Sequence, residues 1–184
     1  SGTEVEGFPT GAGPNGEVDD MDLLASQIQP IVDELIAEGI NKIILMAHLQ
    51  VIANEELLAS KLRGVDIILS AGSNTRLGDA DDDAVAFPGH AANFAGDYPL
   101  QVTDLDGKTT MIVNTDNEYT YLGRLVVDFD QNGDILTDSI VDNRPINGAY
   151  ASTDQNVADA WGVDIDDLDT TAFADGTKGA DVKL

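Results

Sequence analysis

The chain contains no cysteine, so disulfides, zinc–thiolate centres and cysteine nucleophiles are all excluded. Basic residues are scarce: nine Lys and Arg face 34 Asp and Glu, and the formal net charge is -25. A surface this acidic repels phosphate backbones and anionic membranes, so nucleic acid is not an expected partner. Long apolar runs are missing too. None approaches the roughly 20 residues needed to cross a bilayer, so no membrane span is expected. The first residues also lack the basic and apolar regions of a signal peptide. Ser1 is not an initiator methionine and SGTEVEGFPTGAGPNGEVDD reads like the interior of something longer, so a signal could have been removed and a fragment is expected.

What is present suffices for one ordinary domain: 184 residues, of which 42% are hydrophobic. Of the acids 26 are Asp and eight are Glu, which points to Asp-rich turns and caps rather than long charged helices. The organising stretch is NKIILMAHLQVIANEELLASKLRGVDIILSAGSNTRL, residues 41–77. Its two apolar runs, 42–47 and 65–69, are too short for helices, are rich in Ile and Leu, and end abruptly in polar residues, as buried parallel strands do. Between them, residues 54–62 begin with Asn54, Glu55 and Glu56 and end towards Lys61, Arg63 and Gly64, the charge order of a helix. A right-handed βαβ unit follows. It brings His48 and the Gly72-Ser73-Asn74-Thr75 loop to the carboxyl edge of the sheet, where open α/β sheets bind ligands.

Around this unit, residues 1–20 read as a Gly- and Pro-rich loop. A helix is expected from 20 or 22 to 38, kinked or divided by Pro30. Residues 78–97 read as a long excursion near the ligand edge, a length that compact domains tolerate chiefly for a functional reason. Strands over 100–103, 109–114, 119–129 and 135–141 are predicted to form a meander, with Asn132-Gly133 turning its clearest hairpin. Beyond Asn143 the strand pattern ends, and a short helix over 154–161 capped by Ser152 or Thr153 precedes an acidic, Gly-containing tail.

Three stretches, GINKIILMAHLQ, LRGVDIILSAGSNTRLGD and DGKTTMIVNTDNEYTYLGRLVVDFDQNGDI, together resemble calcineurin-like metallophosphoesterases of the 5′-nucleotidase and atypical alkaline phosphatase type. In that family a strand ends in a Ser/Ala-His-Leu/Met-Gly/Gln signature. A second strand of the type VDIIVGGHSHT carries paired histidines, and a YLGRL segment and an FDxxGxI hairpin follow. The similarity runs from about 39 to 141 and continues weakly through TDQNVADAW and GTKGADVKL. It implies an α/β fold, part of a four-layer α/β/β/α sandwich. Two metal ions, Mn, Zn or Ca, would lie at the strand ends, acting on a small phosphoester or nucleotide in a periplasmic or secreted protein.

Matched by position, His48 falls on a metal-ligand histidine, whereas Gly72 and Asn74 stand where the paired histidines are usual. A branch of relatives carries a similar GGSNT signature. The family's Asp-x-His, Gly-Asp and Asn-His-Asp/Glu motifs lie upstream of the matched region, and no histidine precedes His48. The resemblance therefore implies the second half of a metallophosphatase domain over 1–145 and the start of a linker over 146–184, inactive alone. A truncated sheet would expose an edge that invites two copies to pair.

Each candidate has a plainer reading. A lone histidine at a strand end is more often structural, and the resemblance is what favours His48 as a ligand. Asn74 could ligate only through a neutral carbonyl oxygen, against an ordinary turn role. Ser73 and Thr75 could donate to a phosphate, although tying their own loop together is the commoner use. His90 reads as a surface loop residue. The acidic runs at 79–83 and 164–167 could hold Ca²⁺, against solvated loops. Asp128-x-Asp130-x-Asn132 matches half an EF-hand loop, but Ser139 occupies its twelfth position and the flanks are β-branched, so a hairpin is expected. Ser70 and Ser73 lack the G-x-S-x-G elbow of a serine hydrolase. Two further functions remain beside hydrolysis: a non-catalytic binding or scaffold module without the paired histidines, and an acidic Ca²⁺-dependent module.

Overall fold

In the computed structural model, which describes residues 20–168, helix α1 (Met21–Ala37) starts at Asp20, whose carboxylate accepts from the Leu23 amide. The expected loop over 1–19 and the tail beyond 168 lie outside the described residues. Met21, Leu24, Ala25, Ile28 and Val32 form the buried stripe of α1. Pro30 does not divide the helix. Pro30 and Ser26, whose carbonyl loses its usual amide donor, both face solvent, where water can take the free acceptor.

The βαβ unit forms as predicted, with β1 (Ile44–His48), α2 (Ile52–Ala59) and β2 (Ile67–Ala71). β1 and β2 are parallel neighbours, with Ile44 opposite Ile67 and His48 opposite Ala71. α2 begins earlier than the acidic run suggests. Val51 holds the N-cap position without a side-chain bond, and Glu55, fully buried, turns its carboxylate back to accept from the Leu49 amide at 3.1 Å. That bond fixes the backbone just after His48.

After the excursion, β3 (Leu100–Thr103) runs antiparallel to β4 (Thr109–Val113), and β4 runs parallel to β2, giving the order β1-β2-β4-β3. Leu58, Leu62, Ile68 and Ile112 fill the core between this sheet and the helices α1 and α2. The alternate residues of β1 are open, with Ile44 58% and Met46 80% exposed.

The expected meander does not form beyond β4. β5 (Tyr121–Arg124) pairs with β8 (Gly148–Ala151), a strand beyond the point where the pattern ended, and β6 (Asp128–Phe129) pairs with β7 (Ile135–Leu136) alone. Helix α3 (Asp138–Asp142) replaces the rest of the strand expected over 135–141. The Ser139 hydroxyl donates to the Leu136 carbonyl and accepts from the Asp128 amide, a local bond that competes with a ladder. The Asn132-Gly133 hairpin holds. Its Asp130 carboxylate accepts from the amides of Asn132 and Asp134, which is a turn cap rather than half a calcium loop. α4 (Asp154–Trp161) has Thr153 as its cap, accepting from Asn156, and Gly162 closes it in the left-handed conformation.

Candidate functional site

Parallel β1, β2 and β4 end at one carboxyl edge, and a cavity of about 830 Å³ opens there. His48, at the end of β1, lines it together with Gln50, Ser70, Gly72 and Asn74. Gly72 explains how the loop after β2 approaches the imidazole so closely. Its φ is +83°, and a Cβ there would lie 2.6 Å from both Cδ2 and Nε2 of His48 and 2.8 Å from Oε1 of Gln50. Asn74 follows at φ +52°, a left-handed position that asparagine tolerates, and its side chain is exposed.

Ser73 and Thr75 are not among the lining residues. The Ser73 hydroxyl accepts from the Thr75 amide at 3.3 Å and from Nδ2 of Asn114 at 3.0 Å; that same amide nitrogen lies 3.3 Å from the Ser70 hydroxyl. The loop is thus pinned to the end of β4.

The opposite wall is the turn after β4, with Asp116, Asn117, Glu118 and Tyr119 lining the cavity. The Asp116 side chain is 3% exposed, and its Oδ2 accepts from Nε and Nη2 of Arg76 at 3.0 and 2.6 Å and from the Thr120 hydroxyl at 3.2 Å. Arg76 also donates to the carbonyls of Val85 and Ala91 and lies 4.9 Å over the Tyr121 ring. His90 is no free surface residue: its Nδ1 sits 3.0 Å from Asp116 Oδ2, and its side chain is 18% exposed. This buried cluster sews the excursion loop to the cavity wall. Nothing in the spacing of Arg76, His90 and Asp116 announced it.

Burial pushes the Glu55 carboxyl up from its ordinary range, against the Leu49 amide bond that lowers it, and burial likewise pushes the Tyr98 phenol up. Among the described residues no group of three or more His, Cys, Asp or Glu side chains is placed to hold a metal ion. His48 and Asn74 supply one imidazole and one neutral amide oxygen. By themselves these do not fit a divalent ion, which takes at least four ligands. The acidic runs are spent locally: Asp79 accepts from the Asp81 amide, Asp82 from the amides of Asp79 and Ala149, and Asp164 from Asp166.

No family model matches the chain. It is 38% identical over 112 residues to mouse 5′-nucleotidase, covering 61% of this chain and 18% of that one. Human 5′-nucleotidase is 34% identical over 110 residues, 60% of this chain and 18% of its own. Among solved structures, the 5′-nucleotidase precursor from Thermus thermophilus superposes with a TM-score of 0.50 at 32% identity, over 61% of this chain and 20% of that one. The NAD nucleotidase of Haemophilus influenzae shares the fold with a TM-score of 0.53 at 24% identity, over 67% of this chain and 20% of its own. The chain spans about a fifth of the length of these relatives. Over about three-fifths of its own residues the chain is similar to a segment of 5′-nucleotidases.

Proposed function

We propose that the carboxyl-edge cavity is part of the site of a metal-dependent phosphoester hydrolase acting on nucleotides or kindred phosphoesters, completed by ligands beyond the described residues. One observation carries this reading: His48 ends β1 at the carboxyl edge of the sheet and lies against a glycine whose missing Cβ leaves room for the imidazole, in a chain that is similar to 5′-nucleotidases over about three-fifths of its residues. Were His48 and Asn74 joined by further ligands, the divalent ions held there would supply Lewis acidity and a hydroxide nucleophile. This chain's own share is positional. His48 offers one imidazole nitrogen, Asn74 one amide oxygen, and the Leu49 amide held by Glu55 keeps the β1 end in place.

The four-layer sandwich belongs to the same proposal. The open apolar residues of β1, with Leu69 of β2 at 41% exposed, are what a second sheet would cover. So does a periplasmic or secreted setting, in keeping with a cysteine-free chain and with the snake venom 5′-nucleotidases among the relatives. Without the remaining ligands the chain alone is expected to turn over no substrate.

Calorimetric titration with Mn²⁺ and with Zn²⁺ tests it, on this chain and on His48→Ala, with hydrolysis of an aryl phosphate followed on the same samples. The expected result is weak saturable binding that the substitution removes, without turnover. Equal heats from both proteins would overturn the reading and favour the non-catalytic module, which the glycine and asparagine at the paired-histidine positions otherwise support.

A further inference from the structure

The excursion loop is fastened to the cavity wall by a cluster whose charges do not balance. Asp116 and Glu118 bring two carboxylates from the turn after β4, and Arg76 brings one guanidinium from the chain after β2. His90, from within the excursion, lies against both acids: its Nδ1 is 3.0 Å from Asp116 Oδ2 and its Nε2 is 3.7 Å from Glu118 Oε2. With a neutral imidazole these four groups carry one uncompensated negative charge. A proton on the imidazole supplies the second cation and lets both ring nitrogens donate.

The place makes that proton matter. His90 is 18% exposed and Asp116 3%, so water screens the inner contact poorly. Asp116, Glu118 and Tyr119 have φ of +80°, +53° and +60° without a glycine among them, a backbone that persists only where its surroundings impose it. On the loop side, His90 closes a tight turn with Phe87, each amide donating to the other's carbonyl, at 2.8 and 3.1 Å. The loop has other ties. Arg76 donates to the Val85 and Ala91 carbonyls, the Val85 amide donates to the Tyr121 hydroxyl, and the Phe87 and Phe94 rings stand edge-on to Tyr121. Guanidinium and phenol groups ordinarily keep their protons through the imidazole range. The Asp82 carboxylate, which accepts from the Ala149 amide and whose carboxyl burial raises, titrates separately from His90.

We propose that His90 is a pH-sensitive clasp between the excursion loop and the cavity wall, closed when its imidazole is protonated and loosened when it is neutral. The clasp is fully made in mild acid and is lost as pH rises through the imidazole range, roughly pH 5 to 8. Asp116, Glu118 and Tyr119 line the cavity, so the proton sets how firmly that wall is held. It acts whatever the cavity binds, and so stands apart from the phosphoester reading.

Amide hydrogen exchange in the ¹⁵N-labelled chain tests the clasp. Corrected for intrinsic rates, protection of the Phe87 and His90 amides should be about fivefold greater at about pH 5.5 than at about pH 7.5, the scale of one ion pair at the edge of solvent. Amides of β2 and β4 serve as the reference for changes in global stability. His90→Gln keeps a side-chain donor that cannot be protonated, and the amides at 87 and 90 should then be protected alike at the two pH values. Glu118→Gln leaves one carboxylate to one guanidinium, so the proton no longer completes a balance. The difference should vanish there too, although His90 and Asp82 are intact. Glu118 has a 73% exposed side chain, so its variant is expected to fold and decides the matter if His90→Gln does not. Equal protection at both pH values in the parent overturns the proposal, and so does a pH difference that survives in either variant.

Discussion

Two glycines with positive φ separate a site constraint from a folding constraint. At Gly72 an added Cβ meets the ring of a solvent-facing histidine, which can swing away. Gly72→Ala should cost about 1 kcal/mol of stability through its left-handed φ, while displacing the imidazole and abolishing the Mn²⁺ or Zn²⁺ heat as His48→Ala does. At Gly133 the same atom would collide with the backbone carbonyl oxygen of Asn41, which has no rotamer to change. Gly133→Ala should therefore lose at least about 2 kcal/mol in denaturant unfolding and leave any His48-dependent heat alone. If the two variants unfold alike, the close packing of the hairpin turn on the segment before β1 is not what holds it.

At the scale of elements, the entry to β1 depends on a half-buried carboxylate. Asp66 accepts from the Ile43 amide at 2.7 Å, and its own carbonyl accepts from Met111, so it couples the starts of β1, β2 and β4. Burial, with Asp134 nearby, pushes its carboxyl above the ordinary 3.8, against the Ile43 bond that lowers it. The folded chain then binds this proton more tightly than the unfolded chain. Stability from this group is greatest in acid, falls as pH rises from 3.8 through the raised folded value, and is level above it. Asp66→Asn keeps an acceptor for Ile43 and removes the charge. It should melt higher than the parent at neutral pH, with the gap closing as the pH falls through that window; a gap that does not change with pH would refute the linkage.

The same elements mark where the sequence was legible. The first helix, the βαβ unit and His48 at its edge followed from apolar periodicity and charge order, because each segment buries a long enough face to leave a pattern. The second half left little. β6 and β7 are two residues each, and β8 is Gly148-Ala149-Tyr150-Ala151, too small and mixed to read as a strand. The Arg76–Asp116 pair spans forty positions, beyond any local pattern. Asp116 to Tyr119 carries left-handed backbone without a single glycine, so Tyr119 read as the start of a strand.

For the whole molecule, two opposed surface terms decide whether copies meet. Among the described residues β1 lies at one end of the sheet order with no further strand on its outer edge, and Ile44, Met46 and Leu69 stay open on one face beside it as an apolar patch. Against that stands a net charge of -25, which makes copies repel. Salt weakens only the repulsion, since the screening length falls from about 10 Å at 0.1 M to about 3 Å at 1 M while apolar burial is kept. The chain should sediment as a monomer at low salt and associate as NaCl is raised. Met46→Glu should remain monomeric throughout, because it puts a charge into the most exposed apolar position of the edge strand. Association that persists in Met46→Glu would place the contact elsewhere. A wild-type chain that stays monomeric at 1 M salt would mean that this face does not drive pairing, which removes the chief support for a second sheet stacked upon it.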